Sequence, residues 1–357
     1  MKVCFVLPQL VRKPIGGFKI VYEYASRLSR LGYDVSILFL NETAMKRFRI
    51  PPFLRKEAVE VFTRIEPKWF QLDSRVKKVS SLNTRAVEAL KSSDAVVATG
   101  VDTVESVLRL FPKSRRFYFI QDYETWVYPE EKINQTFGAG LHNIVVARWL
   151  KEIVDLYDSG DTVLIPNPID TKIYREITPA AERKAHTLGV LYHPGKHKGF
   201  KYAWEAIRIL KQRYPDLTVY MFGTSKPEIS EDYVHFTMNA TREQTVDIYN
   251  KVQVFLCASV EEGYGLTGLE AMACGAALAS TRYRGVLEYG EDGYNCLLSP
   301  VMDPKALADN ASSFFDDEEK RLRITANGKR SVRKLDWEVA VSRFSATLKG
   351  QEKKNPN

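Results

Sequence analysis

The first forty residues alternate between two hydrophobic patterns. Residues 1–7 form a short, nearly unbroken apolar run, as expected of a strand buried on both faces of a parallel sheet. A loop over 8–17 follows. Between 18 and 31 the apolar side chains Ile20, Val21, Tyr24, Ala25, Leu28 and Leu31 recur at helical spacing until Gly32 closes the segment. A second apolar run at 35–40 completes a strand, helix, strand unit. The alternation continues with strands predicted over 95–98, 116–120 and 143–146, a helix over 103–110 and another starting near Arg148. A last strand at 163–165 runs into Pro166-Asn167-Pro168, where two prolines deny the backbone both a helix and a sheet partner. The pattern then restarts, with strands at 188–192, 217–222, 254–257 and 277–280 and helices at 200–213 and 241–250. A helical stretch over 337–348 comes after the second half, and the polar tail 351–357 reads as frayed.

Two alternating halves in 357 residues, at roughly 150 residues per domain, predict an α/β fold of two doubly wound, Rossmann-like sheets facing each other across a cleft. The expected divisions are 1–168, 169–335 and a segment 336–357 whose helix has the option of packing back on the first domain. Ligands of such sheets bind outside the carboxyl ends of the strands.

Composition narrows the class. Apolar residues make up 45% and charged residues 27%, with no run of 18 apolar residues and no charged-then-apolar leader, so a globular, cytosolic, non-spanning chain is expected. Cys4, Cys257, Cys274 and Cys296 are scattered in apolar surroundings, which suits buried thiols better than a zinc site or a disulfide scaffold. The formal charge of +8 concentrates between Lys46 and Lys78, where ten basic residues meet four acidic ones and are interleaved with Phe53, Phe62, Trp69 and Phe70. That mixture suits an anionic membrane surface or a phosphorylated lipid acceptor, and equally an ordinary solvated face with a few core aromatics. No groove-reading or single-strand motif accompanies the charge, so nucleic acid is not an expected partner.

The densest chemistry lies in Ser259-Val260-Glu261-Glu262-Gly263-Tyr264-Gly265-Leu266-Thr267-Gly268-Leu269-Glu270-Ala271-Met272-Ala273-Cys274-Gly275, after a predicted strand and running into a short helix. Gly263 and Gly265 let the backbone approach a ligand, and Thr267 stands where it would cap a helix whose free N–H groups point at an anion. Glu262 and Glu270 would flank this phosphate seat and accept hydrogen bonds from hydroxyls on either side of a diphosphate. Upstream, His193-Pro194-Gly195-Lys196-His197-Lys198-Gly199-Phe200 is a basic loop between strand and helix, which suits the same diphosphate. No G-x-G-x-x-G follows the first strand, which disfavours a dehydrogenase.

These residues resemble glycosyltransferase family 4, a GT-B family whose signature is a glutamate, seven residues and a second glutamate, with Gly-aromatic-Gly-Leu and Leu-Glu-Ala-Met in the same frame. The resemblance implies that Glu262 contacts hydroxyls of a donor sugar, that Glu270 binds the nucleotide ribose, and that amides of Gly265, Leu266 and Thr267 hold the transferring sugar and phosphate. Lys198-Gly199 matches the family's Lys-Gly pair. Its preceding Gly-Arg is replaced by Tyr192-His193, which leaves His193 or Lys196 to supply the second cation. Gly16-Gly17 resembles the family's amino-terminal glycine loop, with a tight strand-to-helix turn as the plain alternative. Gln121 and Asp122, in Tyr118-Phe119-Ile120-Gln121-Asp122-Tyr123-Glu124, stand where many members carry a histidine beside the sugar, and the string is similar to a rhamnosyltransferase subset acting on surface polysaccharides. Residues 144–150, 165–170, 285–288 and 292–295 resemble further family segments, with Pro168, Arg284 and Cys296 where glycines are commoner.

The implied catalytic set is thus Glu262, Lys198, Asp122 and Gln121, and the donor-binding set Gly16, Gly17, His193, Lys196, Gly265, Leu266, Thr267 and Glu270. The implied activity is a retaining, metal-independent transfer from a nucleotide-diphosphate sugar, with dTDP-rhamnose as the donor suggested by the subset, to a glycan or lipid-linked acceptor. It needs no cofactor and suits the cytosol or the inner face of a membrane. Two other readings stand beside it: a sugar-nucleotide epimerase on the same architecture, and a non-catalytic sugar-nucleotide-binding subunit.

Overall fold

A computed structural model describes residues 1–41, 52–158, 160 and 162–351, with the side chains of 52–56 outside the description. The chain divides into two compact units, Met1–Pro166 with Glu338–Asn357, and Asn167–Trp337.

The first unit is built on a seven-stranded sheet of β1 (Lys2–Leu7), β2 (Asp34–Phe39), β3 (Lys77–Ser80), β4 (Ala95–Ala98), β5 (Arg115–Ile120), β6 (His142–Val145) and β7 (Val163–Leu164). Their order is β3-β2-β1-β4-β5-β6-β7, and every neighbouring pair is parallel. Helices α1 (Gly16–Arg30), α2 (Pro52–Ile65), α3 (Thr84–Leu90), α4 (Val101–Leu110), α5 (Glu130–Phe137) and α6 (Arg148–Val154) connect them. The second unit has six strands, β8 (Thr187–Tyr192), β9 (Thr218–Gly223), β10 (Val234–Met238), β11 (Val254–Cys257), β12 (Ala277–Thr281) and β13 (Leu297–Ser299). They run β10-β9-β8-β11-β12-β13, again all parallel. Helices α7 (Phe200–Arg213), α8 (Arg242–Lys251), α9 (Leu266–Ala273), α10 (Pro304–Asp316) and α11 (Glu318–Val332) belong to it, and α12 (Trp337–Lys349) returns to the first unit. Two doubly wound parallel sheets are the GT-B arrangement of secondary structure.

Each sheet reverses its winding once, between β1 and β4 in the first unit and between β8 and β11 in the second. At such a switch point the two following loops diverge and leave a crevice beyond the strand ends. The inner strands are apolar on both faces because helices cover both: β4 and β11 are buried at every position. In the first unit the ring of Phe344 on α12 stacks on Tyr24 at 4.4 Å and meets Phe5 and Phe119 at 6.0 and 5.5 Å, so the last helix completes that core.

The strands absent from the sequence reading, β3, β10 and β13, are edge strands, and β10 is only half-buried. An edge strand has one neighbour and needs no continuous apolar run. Helix α10 also escaped it, although Asp303 caps Ala306 N–H and Pro304 opens the first turn, a readable start signal. In the basic stretch, Lys46, Arg47 and Arg49 and the side chains of Phe53, Arg55 and Lys56 lie outside the description. Trp69 and Phe70 pack on Tyr22 at 5.6 and 5.4 Å, and Trp69 Nε1 donates to the Val11 carbonyl, so both belong to an aromatic cluster with Tyr22. No helix among the described residues is long and apolar enough to cross a membrane.

Candidate functional site

The switch point of the second sheet brings two loops together. The loop after β8 carries His193 to Gly199, and the loop after β11 carries Ser259 to Gly265. They are stitched by the His197 carbonyl, which accepts from the N–H groups of Val260 and Glu261 at 2.7 and 3.2 Å. Gly199 sits at the contact with φ of +61°, and a β-carbon there would lie 1.9 Å from the Ala258 carbonyl oxygen. Only glycine allows both that backbone and that approach.

The result is an ion pair between a half-buried lysine and a nearly buried glutamate. Lys198 Nζ lies 2.9 Å from Glu262 Oε2, with side-chain exposures of 24% and 9%. The other carboxylate oxygen, Oε1, accepts a hydrogen bond from Ser259 Oγ, and the Ser259 carbonyl accepts one from Thr281 Oγ1. Burial, with the Lys198 charge beside it, lowers both imidazoles: His193 falls below its ordinary 6.5 and His197 to about 4. Both rings are therefore neutral near pH 7. His193 Nδ1 accepts from the Gly195 N–H at 3.0 Å. That neutral state leaves exposed Lys196 as the stronger choice for a second cation.

Beyond Glu262, Gly265 heads α9 with φ of +89°. Its carbonyl accepts from Tyr289 Oη at 2.7 Å, and Tyr289 meets the hydroxyl of Tyr283 at 3.1 Å. The helix begins at Leu266, so Thr267 lies inside the first turn and is not its cap, a correction to the sequence reading: the left-handed Gly265 is the cap and brings no side chain to the first-turn amides. Amides at the start of a helix, with the positive end of its dipole, are of the kind that can receive an anion. Glu270, half-exposed on α9, accepts from Tyr249 Oη at 3.1 Å on Oε2.

The other sequence-derived residues belong to the first unit. Gly16 and Gly17 open α1 after β1. Gln121 lies against Gly17: a β-carbon there would be 3.4 Å from Gln121 Nε2. Asp122 Oδ1 accepts from the Tyr123 N–H at 2.9 Å. Glu124, which the sequence reading passed over, is the more unusual group. Burial, together with the Asp122 and Asp102 carboxylates, pushes its carboxyl up to about 7, partly offset by the Val101 N–H at the start of α4. Ser259, Tyr249, Tyr283 and Tyr289 also carry no sequence signal of their own; only their contacts with Glu262, Glu270 and Gly265 reveal them. Among the described residues, no group of three or more His, Cys, Asp or Glu side chains could hold a metal ion. All four cysteines are buried and unpaired with one another.

Residues 180–331, which include Lys198, Glu262 and Glu270, match the family described as Glycosyl transferases group 1. Among curated relatives, the chain is similar to the D-inositol 3-phosphate glycosyltransferase of Corynebacterium urealyticum, 26% identical over 171 residues that cover 43% of this chain and 40% of the relative. It is also similar to the phosphatidyl-myo-inositol mannosyltransferase of Mycobacterium tuberculosis, 26% identical over 214 residues and 55% of each chain. A third relative is the N,N'-diacetylbacillosaminyl-diphospho-undecaprenol alpha-1,3-N-acetylgalactosaminyltransferase of Campylobacter jejuni, 25% identical over 42% of this chain and 40% of that one. These matches span about half the length of the curated relatives or less. Among solved structures, Anabaena HepE in complex with UDP-glucose superposes with a TM-score of 0.75 at 16% identity, over 98% of this chain and all of the other. Sucrose-phosphate synthase from Thermosynechococcus elongatus gives the same TM-score and identity, over 98% of both chains. At that identity the likeness concerns the fold.

Proposed function

We propose that the protein is a glycosyltransferase that takes a sugar from a nucleotide-diphosphate donor and passes it to a glycan or lipid-linked acceptor. The observation that carries the reading is the Lys198–Glu262 pair at the switch point, next to the glycine-headed helix α9. In this reading the diphosphate sits on the amides of Gly265, Leu266 and Thr267 and draws the Lys198 ammonium toward itself. Glu262, still held by Ser259, then turns its Oε2 to hydroxyls of the transferring sugar. Glu270 takes the ribose, and the backbone of residues 234–239 reads the base. Lys198, Lys196 and the helix amides carry the charge of the leaving diphosphate, which makes a metal ion dispensable. The acceptor is taken up by the first unit, around Gly16, Gly17, Gln121 and Asp122; its hydroxyl attacks the anomeric carbon from the face the diphosphate leaves, which retains the configuration, and its proton passes to the departing phosphate oxygen.

The family match over 180–331 and the glycosyltransferase relatives support the transferase reading over an epimerase or a non-catalytic subunit. Two donors head the panel: dTDP-rhamnose, from the likeness of Gln121 to Glu124 to a rhamnosyltransferase string, and UDP-glucose, which the Anabaena neighbour binds. The test incubates the full chain with dTDP-, UDP- and GDP-sugars, with and without EDTA, and records nucleotide-diphosphate release for wild type and Glu262→Ala. Release from one donor, unchanged by EDTA and lost in the variant, is expected. Tight binding of a donor with no release and no transfer would sink the enzymatic reading.

A further inference from the structure

The two carboxylates proposed to grip the donor are each held from below by a hydroxyl. Ser259 performs this for Glu262, one turn of chain away. Glu270 depends on a residue from another helix. Tyr249 is fully buried near the end of α8, and its Oη donates to Glu270 Oε2 at 3.1 Å. Three rings fix the phenol: Phe255 edge-on at 5.2 Å, Phe222 edge-on at 5.8 Å and Tyr174 at 6.5 Å. The backbone is fixed as well. Arg183, itself buried, donates through Nη1 to the carbonyls of Tyr249 and Val252 at 3.0 and 2.8 Å, and through Nη2 to that of Cys274 at 2.6 Å. One guanidinium therefore ties the end of α8 to the end of α9, the helix that bears Glu270, and sets the register between phenol and carboxylate.

We infer that Tyr249 is a positioning residue that presents the Glu270 carboxylate to the ribose hydroxyls of the bound nucleotide. The inference rests on the ribose reading of Glu270 proposed above. A glutamate on a surface-facing helix position samples several rotamers, and a ligand that needs one of them must order the side chain as it binds. Anchoring Oε2 from a rigid, buried donor removes that cost in advance and fixes the direction from which the carboxylate accepts further hydrogen bonds. Burial, with the Glu270 charge beside it, raises the Tyr249 phenol well above its ordinary 10, so it stays protonated and remains a donor at any working pH.

The test is calorimetric binding of UDP, GDP and dTDP to the full chain, each beside its counterpart stripped of the pentose hydroxyls, both of them in UDP and GDP and the single 3′ hydroxyl in dTDP. Wild type, Tyr249→Phe, Glu270→Gln and the double variant are compared. For the nucleotide that binds, wild type is expected to prefer the hydroxylated form by tenfold or more. Glu270→Gln should abolish that preference, Tyr249→Phe should reduce it about five- to tenfold, and the double variant should lose no more than Glu270→Gln alone. Affinity for the stripped nucleotide should be the same in all four and serves as the folding control. If Tyr249→Phe keeps the full preference while Glu270→Gln loses it, the inference fails and the ribose reading stands. Equal weakening of both nucleotide forms in Tyr249→Phe also overturns it, because that pattern reports structure alone. If Glu270→Gln keeps the preference, or no nucleotide binds, the ribose reading fails and takes the inference with it. Should Tyr249→Phe not fold, 3-fluorotyrosine at position 249, a stronger donor of nearly the same size, must raise the preference, and an unchanged preference overturns the proposal.

Discussion

Gly265→Ala is the sharpest perturbation of the proposed anion seat. The new methyl would lie 1.9 Å from Tyr283 Oη, 2.8 Å from its Cζ and 3.0 Å from its Cε2. Tyr283 has little room to retreat: it is 1% exposed, and its hydroxyl is tied to Tyr289, which in turn bonds the Gly265 carbonyl. The backbone resists too, because φ is +89° and an L-residue there costs about 1–2 kcal/mol. Displacing a buried ring adds roughly 1–3 kcal/mol, for a total of about 3 kcal/mol. In a unit of this size that corresponds to roughly 6–12 °C in the melting transition. Gly293→Ala is the control, since Gly293 has φ of +75° and nothing within 4 Å of the added carbon; it should lose only the backbone share. Differential scanning calorimetry reads both variants, and nucleotide binding should weaken in Gly265→Ala alone. Equal stability losses in the two variants would refute the claim that Tyr283 and Tyr289 brace the start of α9.

Lys198→Met takes the ammonium away from the nearly buried Glu262 and should cost about 2 kcal/mol by chemical denaturation, below the ~3–5 kcal/mol of a fully buried pair because Lys198 is 24% exposed; Lys198→Met with Glu262→Gln should recover part of that loss, and no recovery would argue against a coupled pair. Glu124 gives a pH signature. Its carboxyl is raised to about 7 from an ordinary 4.5, so the folded chain holds a proton that the unfolded chain releases, and stability is lost as pH climbs through that window. Glu124→Gln should therefore melt alongside wild type near pH 4 and by a few degrees higher at pH 8, a gap of about 1–3 kcal/mol; a constant gap across that range would contradict the shift. Ser259→Ala removes one support of Glu262 and is expected to lower donor turnover about tenfold with little change in melting temperature, measured by nucleotide release; unaltered turnover would remove Ser259 from the site.

The chain's organisation was legible where burial is two-sided. β4, β11 and α7 stand at the residues their apolar patterns indicate, because a strand covered on both faces or a helix with one apolar stripe leaves no other placement. Edge strands β3, β10 and β13 lack that constraint and so left no pattern. At the site, the placement of the string from Glu262 to Glu270 was readable because its glycines and carboxylates stand within one loop and one helix. Thr267 misled as a cap because a left-handed glycine had already taken that place. Tyr249 and Glu124 could not be read at all: one gains its role from a helix 21 residues from its partner, the other from carboxylates gathered at a strand end. Such pairings come from the winding of the sheet and have no spacing in sequence.

The most direct test of the central claim is a crystal structure of the full chain with the nucleotide-sugar that supports release. The account predicts a pyrophosphate within hydrogen-bond reach of Lys198 Nζ and the amides of Gly265 to Thr267, the sugar on Glu262 and the ribose on Glu270. A nucleotide seated elsewhere, with the Lys198–Glu262 pair intact and α9 empty, would contradict it.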